Sequence, residues 1–500
     1  MASFIPSIPS IFGKKAAKIL FISPEAAPFV KVGGLGEVMR ALPKALRELG
    51  YDARVLTPKY ASMNLENFPL TKIYEGLEFV PEELDPHGLF VCNVLQNESE
   101  EDVVAYFLEN MEYFEKRANV YGYADDTVRW VLLCKAALEF IKQSDWVPDI
   151  IVTNDWQTGF LPDFLKHSYH QHRKLSGIKT MFIIHNLNFQ GMFDHRFLSE
   201  TDYDSGQAAI PELGDPNILK LNGMRRGIMW SDLIVTVSPT YSKEILTTDF
   251  GEGLNELLKE KRSVLFGVLN GIDYDIYNPQ KDKLIPHPFS YNNLEKRALN
   301  KTALQEKFNL KVDPRKFVIG IVSRMDEQKG FELIMQICNP LFENVDFQMV
   351  VVGGGDNKYR LFFQEMEKKY PGRFGGHYFY DEILPRLVFA GADAILVPSR
   401  FEPSGLVQME AMRYGAIPIV RHVGGLADSV RDFDGEQGDG FVFNNYDPYA
   451  LLVAIVRAKE TFSNKKTWTT IVSHSMQNDF SWKKSAQDYD KLFNILLDKK

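Results

Sequence analysis

Short apolar runs of strand length recur along this chain, each followed by a polar or glycine-bearing loop and then a longer amphipathic stretch. The first run, residues 18–23 (KILFIS), stops at Pro24 and leads into the loop KVGGLGEV. Beyond Gly36 the apolar positions Val38, Leu42, Ala45, Leu46 and Leu49 return every three or four residues, which predicts a helix, and Gly50 stands where a C′ stop is expected. Pro43 falls within that helix and should kink it. Residues 53–57, 150–153, 180–184 and 233–237 continue the alternation. A second series opens near Phe317 with FVIGIVS and runs through 348–355 (QMVVVGGG), 393–399 (DAILVPS) and 416–420 (AIPIV). Strands alternating with helices imply a mostly parallel sheet. Two series imply two open α/β domains, with the polar, proline-bearing stretch 278–300 as the expected linker. Ligand loops in such domains lie at the C-terminal ends of the strands, so a shared cleft is expected to carry the chemistry.

Composition narrows the class. The 500 residues are 45% apolar and 25% charged, ordinary globular usage. Lys plus Arg number 57 against 66 Asp plus Glu, a net charge of −9 with no long run of one sign, which argues against a nucleic-acid surface. Any anionic ligand must then be met by a few local cations. No apolar run approaches a membrane span. Cys92, Cys134 and Cys338 lie far apart, without metal or redox spacing, as expected of reduced thiols in a cytoplasmic protein. Residues 1–17 are broken by Pro6 and Pro9, and their lysines follow the apolar part, so a disordered tail is expected there and not a signal peptide.

Three segments offer chemistry. Lys31 beside Gly33 and Gly34, at an expected helix N-terminus, suits an anion, although a tight turn with an exposed lysine has the same pattern. In SRMDEQKG, Arg324 and Lys329 follow a buried strand and could together neutralise a departing diphosphate without a metal. In the segment 399–430, Glu402 follows a strand, and Gly405, Leu406 and Val407 open an expected helix whose backbone N–H groups could meet phosphate. With Ser404 as its cap, Glu410 falls in the early turns, and carboxylates there suit sugar hydroxyls. Two exposed glutamates are the bland alternative. The DxD triplets at 273–275, 432–434 and 488–490 read as chance in an acidic chain. His167, His170 and His172, at spacings of three and two, do not share one helical face and read as solvated surface.

Taken together, KVGGLGEV, NDWQTG (154–159), HNLNFQG (185–191), GVLNGIDYDIYNP (267–279), SRMDEQKG and EPSGLVQMEAMRYG resemble the bacterial glycogen synthase and plant starch synthase family, glycosyltransferase family 5, over residues 18–490. The resemblance implies a GT-B fold of two Rossmann-like doubly wound domains, 18–280 on the acceptor side and 281–478 binding the nucleotide sugar, with 479–500 as a helix returning to the first domain. It implies retaining transfer of glucose from ADP-glucose to the non-reducing end of an α-1,4-glucan, with no metal or other cofactor. By motif, Lys31, Gly33 and Gly34 match the donor loop, Arg324 and Lys329 the diphosphate cations, and Glu402 the glutamate that holds the donor glucose. His185 matches a residue that sets the sugar, with Asn186 beside it, and Tyr380 an aromatic that stacks on the base. Tyr121, Asp155 and Trp156 fall on the acceptor side. The chain departs from the family at Val32, Glu37, Gln157, Ser404 and Val407, and Glu410 matches the paired-glutamate pattern of glycosyltransferase family 4. UDP-glucose as donor, another acceptor, and an inactive glucan-binding protein therefore stay open as alternatives.

Overall fold

The computed structural model describes residues 17–79, 89–97, 103–123, 125–191 and 222–498. The chain divides into two compact units, one formed by Met1–Val237, Ser242–Val268 and Trp482–Lys500, the other by Ser238–Tyr241 and Leu269–Ser481. Except for Ala17, the expected tail 1–17 lies outside the described residues.

The first unit is built on strands β1 (Lys18–Ile22), β2 (Asp52–Pro58), β3 (Thr71–Phe79), β4 (Phe90–Asn97), β5 (Ala105–Glu109), β6 (Ile150–Asn154), β7 (Lys179–Ile184), β8 (Leu233–Thr236) and β9 (Leu265–Gly267). Their order in the sheet is β3-β4-β5-β2-β1-β6-β7-β8-β9. From β5 to β9 neighbouring strands are parallel, as the alternating pattern predicts. The antiparallel ribbon β3-β4-β5 extends one edge. Strand β3 escapes a search for apolar runs because it is largely exposed and carries few buried positions.

The helix Gly34–Glu48 follows β1 and runs through Pro43 without interruption, and Gly50 takes up φ +96°, the left-handed conformation expected of a C′ glycine. Against it packs the last helix, Trp482–Asp498. Its fully buried Tyr489, Leu492, Phe493 and Leu496 join Leu42, Leu46 and the β1 side chains Ile19 and Phe21 in one core. Tyr51 Oη donates to Asp490 Oδ1 at 2.6 Å and ties the middle of this helix to the residue just before β2.

The second unit holds β10 (Phe317–Val322), β11 (Phe347–Val352), β12 (Phe374–His377), β13 (Ala394–Val397), β14 (Ile417–Arg421) and β15 (Phe441–Phe443). All pairs are parallel, in the order β12-β11-β10-β13-β14-β15. The segment 278–300, expected as a linker, lies inside this unit. Polar groups hold it. The Arg386 guanidinium sits 3.8 Å from the Tyr277 ring centre and donates to Ile276 O at 2.7 Å and Asp282 Oδ2 at 3.3 Å, while Tyr414 Oη also donates to Asp282. Arg297 donates to Tyr414 O at 2.9 Å and to Ala392 O. A segment anchored by buried charge has no apolar period, which is why its sequence looks like a connector.

Leu492→Ala is expected to destabilise the first unit by about 2–5 kcal/mol, because a fully buried leucine is emptied into a packed core. Leu65→Ala, at a largely exposed site, should cost less than about 0.5 kcal/mol. Urea unfolding followed by circular dichroism separates them, and equal midpoints for the two variants would contradict this packing.

Candidate active site

In the first unit the chemistry-bearing residues cluster at the C-terminal ends of β1, β6 and β7. Asn154, the last residue of β6, is fully buried. Its Nδ2 donates to Ile22 O, at the end of β1, over 3.0 Å, which turns its Oδ1 toward His185 Nε2 at 2.9 Å. An amide oxygen can only accept, so the His185 proton resides on Nε2 and Nδ1 is left as an acceptor. Burial pushes the imidazole down to about 3, and the ring is neutral at physiological pH.

Asp155 follows with φ +53°, an uncommon conformation for a non-glycine residue. Its Oδ1 accepts the backbone N–H groups of His185 at 2.7 Å and Asn186 at 3.3 Å. Burial raises its carboxyl to about 7 despite these donors, and the charge of Glu25 adds to the rise. Trp156 is half-buried and meets Trp130 edge to face at 6.3 Å. Gly191, at φ +60°, passes so close that a Cβ would lie 2.0 Å from the Trp156 ring. The Asn186 side chain turns back on its own loop, its Oδ1 accepting Asn188 N at 3.1 Å.

The glycine loop is organised by a residue that sequence reasoning passed over. Glu25, only 2% exposed, accepts the N–H groups of Val32 and, at 3.1 Å, Gly33 on Oε2, and the hydroxyl of Tyr121 on Oε1 at 3.1 Å. Two of the donors expected to face a ligand anion thus face the protein's own carboxylate. Lys31 Nζ pairs with Glu37 at 2.6 Å, and Val32 is 60% exposed. Lys31, Val32, Tyr60, Arg117, Asn119 and Tyr121 border a cavity of ≈ 490 Å³.

In the second unit, Lys329 Nζ lies 2.6 Å from Glu402 Oε2, and the same oxygen accepts Ser399 Oγ at 2.9 Å. Asp326 shapes the preceding turn, accepting Lys329 N at 3.2 Å and pairing with Arg324 at 3.3 Å. Gly330 ends the turn at φ +72°, where a Cβ would stand 2.1 Å from Pro398 O. Only glycine lets this loop close on the end of β13 and bring Lys329 to Glu402. Both line a small cavity with Ser399, Gly405, Leu406 and Val407. Arg324 does not line it, and its side chain is 69% exposed. Tyr380, 77% exposed after β12, donates to Glu382 Oε1 at 2.9 Å.

The expected capping role of Ser404 is not realised. The helix runs Val407–Arg413 with Leu406 at its N-cap, and Gly405 turns the chain at φ +65° in between. Ser404 Oγ is left buried and without a hydrogen-bond partner among the described residues. Gly425 backs onto it so tightly that a Cβ would lie 1.8 Å from Ser404 O. Glu410 occupies the fourth helical position and is buried.

Sequence reasoning also missed Asn154 and Ser399, whose small polar side chains act on other functional groups. Among the described residues no group of three His, Cys, Asp or Glu side chains could hold a metal. His167 Nδ1 instead meets Asp163 Oδ1 at 2.6 Å, Asp273 Oδ1 accepts Asp275 N at 2.8 Å, and the three cysteines are buried thiols. No described helix is long and apolar enough to cross a membrane.

Comparison with known proteins gives one answer. Residues 18–260 match the family model for the starch synthase catalytic domain, and residues 303–466 that for glycosyl transferases group 1. The chain is 41% identical to a glycogen synthase of Clostridium perfringens, covering 97% of this chain and 99% of the relative, and 38% identical to one from Geobacillus stearothermophilus, covering 96% and 98%. The structure matches the catalytic domain of starch synthase IV from Arabidopsis thaliana, bound to ADP and acarbose, with a TM-score of 0.85 and 30% identity over 97% of this chain and 100% of that one. The expected two-domain parallel α/β architecture is therefore the GT-B fold. The chain belongs to the glycogen and starch synthase family of glycosyltransferases.

Proposed function

We propose that this protein transfers glucose, with retention, from ADP-glucose to the non-reducing end of an α-1,4-glucan in the cytoplasm. The observation that carries this reading is the Lys329–Glu402–Ser399 cluster, a fixed cation beside a buried carboxylate at the end of a parallel strand. In the reading, Lys329 and Arg324 take the diphosphate and stabilise the charge that develops as it leaves. Glu402 and Glu410 accept sugar hydroxyls, with the backbone of Gly405, Leu406 and Val407 and the hydroxyl of Ser404 close by. Tyr380 stacks on the adenine ring, and Lys31, Gly33 and Gly34 are donor-loop contacts.

Neutral His185 accepts through Nδ1, or offers its backbone, to orient the transferred glucose, with Asn186 beside it. Tyr121, Asp155 and Trp156 face the glucan, where an aromatic plane packs on a pyranose ring. Retention by double displacement needs a carboxylate nucleophile and an acid about 5 Å apart. Glu402 is instead engaged by Lys329 and Ser399, which favours reaction on one face, the leaving phosphate oxygen taking the acceptor's proton.

ADP-glucose and UDP-glucose, each supplied with a maltooligosaccharide, test donor and acceptor together. The expected outcome is elongation by single glucose units, faster from ADP-glucose. Release of no nucleoside diphosphate from either donor would sink the proposal. Lys329→Ala should lower kcat by about 10²–10³, the usual loss of one preorganised charge donor.

The titrations of Asp155 and His185 have opposite signs. The folded state holds the Asp155 proton more tightly than the unfolded chain does, so this contribution to stability is full at low pH and is lost as pH rises toward about 7. Asp155→Asn should flatten that slope in thermal melts recorded across the same range. His185 should keep its neutral Nε2–H form from about pH 5 to 8, read from its ring nitrogen NMR shifts. An imidazolium signal at pH 6 would contradict the geometry.

A further inference from the structure

Glu25 joins two parts of the site that the motif reading treats separately. It stands three residues beyond β1 on a stiffened backbone: Ser23 Oγ donates to Glu25 O at 2.8 Å, and the buried Tyr60 hydroxyl donates to Pro24 O at 2.7 Å. From this anchor Oε2 gathers the Val32 and Gly33 N–H groups, and Oε1 receives the Tyr121 hydroxyl. The packing is close enough that a Cβ on Gly36 would come within 3.2 Å of Oε2, so the first turn of the helix is shaped around the carboxylate. Burial and the charge of Glu25 hold the Tyr121 phenol far above its ordinary value, which fixes its proton as the donor in this bond.

We propose that Glu25 is a positioning residue that couples the glycine loop to Tyr121, so that donor-loop geometry and acceptor-side geometry are set together. This rests on the glucosyltransferase reading for its kinetic consequences, but the coupling is a property of the chain itself. A carboxylate has the two oxygens needed to accept from both sides at once. Its length matters as well as its charge, because Glu25 reaches the loop from a rigid strand end.

The test combines kinetics with amide hydrogen exchange in the full-length protein. Glu25→Ala is expected to raise the KM for both ADP-glucose and maltooligosaccharide and to speed exchange at Val32 and Gly33 by about tenfold or more, as for loss of a charge-assisted hydrogen bond. Tyr121→Phe keeps the ring and removes the donor. It should raise the acceptor KM, and also speed exchange at Val32 and Gly33 although its hydroxyl bonds to Glu25 and to neither of them. The double variant should be no worse than Glu25→Ala alone in acceptor KM. Glu25→Gln should recover most of both losses, since its oxygen can serve the loop while its NH₂ donates to a reoriented Tyr121 hydroxyl. That variant also preserves the test should Glu25→Ala fail to fold. Additive effects in the double variant, or loop exchange unchanged in Tyr121→Phe, would overturn the coupling. Exchange reports on it even if wild-type protein transfers no glucose, an outcome that would defeat only the functional reading.

Discussion

One buried amide holds the first unit's site in register. Asn154 reaches across the sheet, giving its NH₂ to the end of β1 and its oxygen to the imidazole that follows β7. Parallel pairing already places these three strand ends side by side. The amide adds orientation, since reversing it would set two donors against the histidine or leave a buried carbonyl without its donor. The imidazole tautomer and the direction of its remaining lone pair follow from that placement. A hydrophobic core sets where the strands lie, and here a single polar side chain sets what their ends can do.

The same division explains what could be read from the amino acids alone. Parallel strands such as 317–322 and 347–352 are apolar almost throughout, with Gln348 the polar exception, because helices cover both faces, and such runs stand out. Strand β3 does not, because an exposed strand has no reason to be apolar. Lys329 and Glu402 were legible as chemistry because charge near glycine is conspicuous, whereas His185 came forward only through the family resemblance of HNLNFQG. Glu25, Asn154 and Ser399 were not. Glu25 and Asn154 meet backbone groups or residues distant in sequence, which no local period marks, and Ser399, though only three residues before Glu402, is an uncharged side chain that draws no notice. Ser404 shows the converse failure, since a serine before an expected helix suggests a cap until the glycine after it turns the chain away.

Net charge is a poor guide to such a site. The chain carries nine more acidic than basic groups, yet the local arrangements are close to balanced: Lys31 with Glu37, Lys329 with Glu402, Arg324 with Asp326. Each candidate cation is held by a carboxylate before any ligand arrives. Placement is thereby fixed, because a paired lysine occupies fewer rotamers than a solvated one. The Gly330 turn serves the same end by bringing two loops of the second unit into contact.

The Lys329–Glu402 pair also bears on ligand selection. An anion that draws Lys329 away leaves a nearly buried carboxylate with one neutral hydroxyl for company, and a buried charge without its counterion is costly. A lone sugar offers hydroxyls to Glu402 but gives the displaced ammonium no new counterion. Opening the pair therefore calls for two new partners at once, an acceptor for the Lys329 ammonium and a donor for the Glu402 carboxylate.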